Sequence, residues 1–178
     1  MEAQLNLPTG KIVLVVGPHA AQEAMLELAG GLVSLGHVRV LDGGNQFNAY
    51  YLARALRRRS AEAFSLLERV TLSRAFTCYQ METMLAESRG LAAPTIILDL
   101  LSTFYDESVP LPERLRLLEH CTDHLYRLSR QAPLAVGARP GGPGAERMEL
   151  FAVLREAADL VWEIGTPDQP QPAQPALF

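Results

Sequence analysis

The sequence predicts an α/β protein with a mostly parallel central sheet and helices flanking it. Two observations support this fold class. Short apolar runs without polar alternation, such as residues 11–16 and 95–98, are typical of strands buried on both faces. Between these runs lie segments whose apolar residues recur at helical spacing, and strands that alternate with helices are joined by right-handed crossovers.

The expected strands and helices follow one another along almost the whole chain. We expect strands at residues 11–16, 38–42, 70–75, 95–99, 134–138 and 160–164. We expect helices at residues 20–35, 48–59, 79–89, 113–131 and 148–158, with a short helical piece beginning near residues 60–63. Asn48 is expected to cap its helix, and Gly36 is expected to end the first helix in a left-handed conformation.

Composition indicates a globular protein with one main domain. The 178 residues are 48% hydrophobic and 20% charged, and the formal net charge of −4 gives no global basic field for nucleic acid. No apolar run reaches the ~18 residues that span a membrane, so we expect no membrane partner. Cys78 and Cys121 lack CxxC spacing, which favours a reduced, cytoplasmic protein.

Two acids stand at the ends of expected strands. Asp42 closes the second strand and Asp99 closes the fourth. Because the carboxyl ends of parallel strands meet at one edge of the sheet, where α/β proteins bind ligands, these residues are candidates for a binding site. The alternative is that each acid caps the turn that follows its strand.

The order and spacing of several sequence features resemble those of a known protein family over nearly the whole core. These features are Pro8 and Gly10 before the first strand, Gly17 at its end, residues 40–42 followed by Phe47, residues 73–77 followed by Gln80, residues 96–99, and Arg114. In this order they resemble the ATPase core of the RecA/RadA recombinase family, from about residue 5 to residue 164. Residues 96–99 resemble its Walker B segment. The resemblance implies a RecA-like P-loop NTPase fold for residues 1–165.

Departures from that family's pattern fall on its ATP site. A phosphate-binding loop reads GxxxxGK[ST], but residues 17–24 place Gln22 at the second glycine, Glu23 at the lysine and Ala24 at the hydroxyl. The family's catalytic glutamate corresponds to Gly44, and its polar sensor to Ala138 or Arg139. A carboxylate in place of the lysine repels a polyphosphate. We therefore expect a pseudo-ATPase with no catalytic residues, in which ATP and Mg²⁺ are disfavoured as cofactors.

An ATP-binding member of the family with an atypical phosphate loop is the leading alternative. The nucleotide would then lie among residues at the strand ends and at the start of the first helix, whose free N–H groups favour anions. The residues of this degenerate nucleotide site are Gly17, His19, Glu23, Asp42 and Asp99.

The last residues of the chain suggest a protein partner. Residues 166–178 are rich in proline and glutamine, and we expect them to form a flexible tail. Gln174, Leu177 and Phe178 resemble the bacterial sliding-clamp-binding peptide, in which two apolar side chains fill a pocket and an amide fixes the register. The alternative is that Leu177 and Phe178 fold back on the domain.

Several weaker sequence patterns have a functional interpretation and, for most of them, a structural one as well. Arg139 and Arg147 lie where recombinases carry a DNA-contacting loop, so the resemblance implies contact with single-stranded DNA there. Other clusters have both a functional and a structural interpretation: Arg54, Arg57, Arg58 and Arg59 as a phosphate-binding face or a solvated face balanced by Glu62 and Glu68; His120 and His124 as zinc ligands or surface histidines; Asp106 and Glu107 as a metal site or a solvated loop.

Together these patterns predict a non-catalytic RecA-like accessory protein in DNA repair or recombination. Its expected partners are the DNA sliding clamp or a repair polymerase, with single-stranded DNA as a further ligand. A homo-oligomer is a third alternative, because recombinase cores stack head to tail.

Overall fold

The computed structural model describes residues 6–90 and 92–165, and in this part of the chain six parallel strands form one sheet in the order β3-β2-β4-β5-β1-β6. The strands are β1 (Ile12–Val16), β2 (Val38–Asp42), β3 (Val70–Arg74), β4 (Thr95–Leu98), β5 (Leu134–Ala138) and β6 (Leu160–Glu163). The helices are α1 (Gln22–Val33), α2 (Ala49–Arg59), α3 (Ala63–Leu67), α4 (Cys78–Glu87), α5 (Leu111–Ser129) and α6 (Ala145–Ala157). The predicted α/β class and parallel sheet are confirmed.

The first strand lies inside the sheet, although it comes first in the chain. Ile12 of β1 pairs with Leu134 of β5 on one side, and Val13 pairs with Leu160 of β6 on the other. Both neighbours come from the last third of the sequence. The order of strands in space therefore differs widely from their order along the chain.

Helices cover the two faces of the sheet with separate hydrophobic layers. Val13 and Val15 point into the layer formed with α1, α2 and α3, whereas Ile12, Leu14 and Val16 point into the layer formed with α4, α5 and α6. Every residue of β1, β4 and β5 is buried. Burial on both faces explains why these strands are continuous apolar runs.

Cap residues set the starts of two helices. The Asn48 side chain accepts a hydrogen bond from the Tyr50 N–H at 2.9 Å, which confirms the predicted cap of α2. Thr77 caps α4 in the same way by accepting from the Gln80 N–H at 3.1 Å. The predicted start of the α4 helix at residue 79 therefore lies one residue late.

Three of the predicted boundaries that are wrong have a clear physical reason. The first helix begins at Gln22 rather than residue 20, because Ala20 and Ala21 adopt left-handed backbone conformations. The last helix begins at Ala145, three residues before the predicted start, because its first turn is exposed and carries no apolar periodicity. The fourth strand ends at Leu98, and Asp99 is left-handed, with a φ of 48°.

None of the helices in the described ranges is long and apolar enough to cross a membrane. The tail at residues 166–178, with its predicted partner-binding residues Gln174, Leu177 and Phe178, lies outside the described residues.

Candidate functional site at the carboxyl edge of the sheet

The strand ends bring the predicted edge residues together. The Gly17 N–H donates to the Ala138 carbonyl at 3.1 Å, which joins the end of β1 to the end of β5. The Gly43 N–H donates to the Leu98 carbonyl at 2.8 Å, which joins the turn after β2 to the end of β4. The carboxyl edge therefore gathers the segments that the sequence identified as a candidate site.

A left-handed turn replaces the start of the expected first helix. His19, Ala20 and Ala21 have φ values of 51°, 55° and 54°. Left-handed backbone costs a non-glycine residue roughly 1–2 kcal/mol, so the surrounding packing must hold this turn in place. Ala20 and Ala21 are both buried, whereas His19 is exposed. The turn therefore packs against the carboxyl edge of the sheet, where the Ala20 and Ala21 methyl groups occupy part of the space.

Two glycines make this close approach possible. A Cβ atom at Gly137 would lie 2.7 Å from the Ala20 carbonyl oxygen, and a Cβ atom at Gly17 would lie 3.3 Å from the Ala21 Cβ. Backbone from the turn thus rests directly on backbone of β5.

Asp42 holds the turn that follows β2. Its Oδ1 accepts from the Gln46 N–H at 2.8 Å, and its Oδ2 accepts from the Phe47 N–H at 3.0 Å and from Arg74 Nε at 3.4 Å. The side chain of Gln22, the first residue of α1, donates to the Gln46 carbonyl. The buried carboxylate of Asp42 is therefore occupied by structural partners, as the turn-capping alternative predicted.

Asp99 differs from Asp42 although both are buried. Its Oδ2 accepts from Arg139 Nε at 3.2 Å and Nη2 at 3.1 Å, while its Oδ1 is buried without a hydrogen-bond partner among the described residues. Burial raises the pKa of the Asp99 carboxyl, the Arg139 guanidinium opposes that rise, and the Asp42 charge adds to it. Asp99 is thus a buried carboxylate at the carboxyl edge that has fewer hydrogen-bond partners than Asp42.

The glycines after β2 pack against Asp99. A Cβ atom at Gly44 would lie 2.6 Å from Asp99 Oδ2 and 2.7 Å from Asp99 Cβ. A Cβ atom at Gly43 would lie 2.7 Å from Met81 Cε. Gly44, which the sequence resemblance aligns with a catalytic glutamate, therefore has no space for any side chain.

Glu23 lies in α1 but its carboxylate pairs with a neighbouring helix. It forms an ion pair with Arg54 of α2, and Glu27 of α1 pairs with Arg58 and with Arg59. The expectation that Glu62 and Glu68 balance this arginine cluster is corrected, because the partners shown are on α1. The cluster joins two helices and is half-exposed.

The arginines predicted to contact DNA are engaged with other side chains. Arg139 pairs with Asp99, and the Arg147 guanidinium lies 4.3 Å from the centre of the Tyr105 ring. Arg147 and Tyr105, but not Arg139, line a cavity of about 440 Å³. Buried Arg114 lines this cavity and donates to the Val109 carbonyl at 2.8 Å and to Glu146 Oε2 at 2.5 Å. Arg114 thereby connects the loop before α5 to the first turn of α6.

Potential metal ligands do not converge in the described part of the chain, where no three His, Cys, Asp or Glu side chains could hold one ion. His124 Nε2 lies 3.2 Å from Glu82 Oε1 of α4. Asp106 accepts from the Ser108 N–H at 2.9 Å and so caps its own turn. Cys121 is buried in the apolar layer.

Sequence reasoning missed the left-handed turn and the pairing of Asp99 with Arg139. Gly137, a glycine inside a buried strand, was the available signal for a close backbone approach. No local signal marks Arg139 as the partner of Asp99, since the two residues are 40 positions apart.

Comparison with known proteins gives no family for the chain. No protein-family model matches it. No curated protein sequence matches it either.

Proposed function

We propose that the chain is a RecA-like core that has lost its ATP site and acts by binding partners in DNA repair or recombination. The observation that carries this proposal is the filled carboxyl edge. Backbone at Ala20 rests on Gly137, and Gly44 packs on Asp99, in the places where the family resemblance puts phosphates and a catalytic glutamate.

The chemistry of this edge also opposes a nucleotide. A phosphate loop works by turning successive backbone N–H groups and a lysine toward one anion. Here the corresponding turn directs the Ala20 carbonyl oxygen toward β5 and buries two alanine methyl groups. Asp42 and Asp99 add two carboxylates to the same edge, and Asp42 raises the pKa of Asp99. A triphosphate would meet nonpolar surface and would compete with Asp42 and Asp99 for Arg74 and Arg139, the arginines that already pair with them.

Asp99 is the feature that favours the alternative, an ATP-binding protein with an atypical loop. Its Oδ1 has no hydrogen-bond partner in the described ranges, and it lies in the segment that resembles a Walker B acid. If the turn at residues 19–21 moved away, Asp99 could face a nucleotide-bound Mg²⁺.

Calorimetric titration with ATP and Mg²⁺ separates the two functions. We expect no saturable binding below about 1 mM, which corresponds to a binding free energy weaker than about −4 kcal/mol. Asp99→Asn is the matched variant. Micromolar binding by the wild type that is lost in Asp99→Asn would establish the alternative and overturn the pseudo-ATPase proposal.

The partner in this proposal is the DNA sliding clamp or a repair polymerase, recruited through Gln174, Leu177 and Phe178. Gly165, the last described residue, follows β6 at the carboxyl edge. Thirteen further residues reach at most about 45 Å when fully extended, which is enough to present a terminal peptide away from the domain. Contact with single-stranded DNA would use Arg139 and Arg147, and it would compete with their contacts to Asp99 and Tyr105.

Removal of the tail peptide tests the clamp as partner. Deleting residues 174–178 is expected to weaken clamp binding at least about tenfold, because two apolar anchors are lost together. Leu35→Ala, a change of an exposed leucine on the core, is the control and should leave binding unchanged. Equal clamp affinity of the deletion variant and the wild type would contradict the clamp proposal, while a polymerase could still be tested in the same way.

A further inference from the structure

β3 is an edge strand of the sheet, with one side unpaired in the described structure. Its only neighbour in the described sheet is β2. The Arg69 carbonyl accepts from the Val38 N–H at 3.0 Å, and the Ala75 N–H donates to the Asp42 carbonyl at 3.0 Å. Because successive residues of a strand turn their backbone groups to opposite sides, the N–H and C=O groups of Val70, Leu72 and Arg74 point away from β2.

The centre of β3 is open on both faces, although Val70 at its start is partly buried against the layer formed with α1, α2 and α3. Thr71 and Leu72 point to opposite faces of the sheet, and both are exposed. Among the described residues, nine large apolar side chains are exposed, and four of them lie within the short stretch that surrounds β3: Phe64, Leu72, Phe76 and Tyr79. Such a concentration of apolar surface beside unpaired backbone is typical of an interaction site.

β3 also lacks the features that prevent edge strands from pairing with strands of other molecules. Val70–Arg74 contains no proline and no lysine, and it pairs with β2 in an unbroken register without a bulge. Its single charge, Arg74, forms an ion pair with Asp42 of its own sheet. The outer side of the strand is therefore uncharged at its centre.

We propose that two copies of this chain pair through their β3 strands, antiparallel about a twofold axis at Leu72, to form one continuous sheet. The three outward residues make the strand self-complementary. Leu72 lies opposite Leu72 of the second copy, and Val70 lies opposite Arg74. Each of these pairs can exchange two backbone hydrogen bonds, since all of these residues point outward.

Charge favours a second copy in this register. Arg74 stands opposite an uncharged Val70, so no like charges face each other across the axis. The contact is isologous, so it closes after two copies and does not propagate into a fibre. A head-to-tail stack would use two different surfaces and would not place Leu72 against itself.

A lysine substitution at the proposed twofold axis tests the interface, and sedimentation equilibrium measures its effect on the dimer Kd. Leu72→Lys places two positive charges directly opposite each other, and we expect the dimer Kd to rise about tenfold or more. Leu160→Lys is the matched control, since Leu160 is 40% exposed and lies on β6, the strand at the opposite edge of the sheet from β3. It should leave the Kd unchanged. A wild type that stays monomeric, or a dimer equally stable in Leu72→Lys, would overturn the proposal.

Two more variants separate the interface from an effect on folding. Leu72→Pro removes an N–H that points away from β2, so it should abolish dimerisation and keep the cooperative unfolding of the monomer. Leu72→Cys should form a reducible cross-linked dimer, because paired Cα atoms about 5.5 Å apart fall within disulfide range. Cys78 and Cys121 are buried, so the new thiol is the accessible one among the described cysteines.

The cross-linking control is Leu160→Cys, on the opposite edge strand β6, which should remain monomeric under the same oxidation. Equal cross-linking of Leu160→Cys and Leu72→Cys would overturn the proposal. A wild type that stays monomeric and binds an extended peptide at β3 would also overturn the proposal, because β3 would then pair with a strand from another protein. None of these outcomes depends on nucleotide or clamp binding, so this inference can fail without the proposed function failing.

Discussion

Replacing Gly44 with glutamate is expected to destabilise the protein by about 3 kcal/mol or more and to confer no ATP hydrolysis. The substitution supplies the carboxylate that the proposed resemblance to the RecA/RadA family would place here. However, its Cβ would lie 2.6 Å from Asp99 Oδ2, and the new charge would meet an acid that is already buried. Overpacking and like-charge repulsion therefore act together. Urea unfolding measures the loss.

Gly142→Glu is the matched control for this substitution. A Cβ atom at Gly142 would meet no atom within 4 Å, so the same change there should alter stability by less than about 0.5 kcal/mol. Gly44→Ala separates the steric part from the charge, and it should account for most of the loss. Equal stability of Gly44→Glu and Gly142→Glu would show that the edge can open, which would reinstate the ATP-binding alternative.

Removal of the Asp42 carboxylate is expected to cost about 2–4 kcal/mol of unfolding free energy. Asp42 accepts hydrogen bonds from the Gln46 and Phe47 N–H groups and from Arg74. Asp42→Ala leaves these donors without their acceptor in a partly buried turn. Asp42→Asn keeps one acceptor oxygen and should give an intermediate loss. Thermal or urea unfolding at neutral pH measures both variants.

Asp99→Asn is the informative comparison, because Asp99 is equally buried but poorly compensated. The folded state raises the pKa of Asp99 above its ordinary value of 3.8, so the folded protein holds this proton more tightly than the unfolded chain. The stabilisation from protonated Asp99 is complete below about pH 3.8 and is lost as pH rises through the raised pKa. Asparagine does not titrate, and it tolerates left-handed backbone.

We therefore expect Asp99→Asn to be more stable than the wild type at neutral pH, with the difference shrinking as pH falls toward 4. Unfolding free energies measured at several pH values check this trend. A difference that stays constant with pH would contradict it. A large loss of stability in Asp99→Asn at neutral pH would show that the ion pair with Arg139 outweighs the cost of burial.

The fold was largely predictable because its determinants are local. Residues 134–138 are a continuous apolar run, and they form β5 with the predicted bounds. Asn48 starts α2 at the predicted place because its side chain caps a nearby N–H. The start of α1 was not predictable in this way. Alanines favour helix locally, but contact with Gly137 and the sheet holds Ala20 and Ala21 in a left-handed turn.

The candidate site was predictable in its location and not in its contacts. Asp42 ends β2 and Asp99 directly follows β4, and because these parallel strands are neighbours, both acids lie at the same edge. Which partner each acid finds depends on loops that are distant in sequence. Arg139 reaches Asp99 from the loop after β5, and Arg54 draws Glu23 toward α2. These pairings follow from how the helices and loops pack, and no short motif encodes them.

The position of β1 between β5 and β6 has a consequence for how the chain folds on the ribosome. Ile12 of β1 pairs with Leu134 of β5, so β1 is synthesised well before either of the strands with which it pairs. Contacts so distant in sequence slow folding and leave apolar segments unprotected for longer. Until β5 emerges, β1 is an apolar segment without a paired strand, and chaperones are expected to bind the nascent chain there.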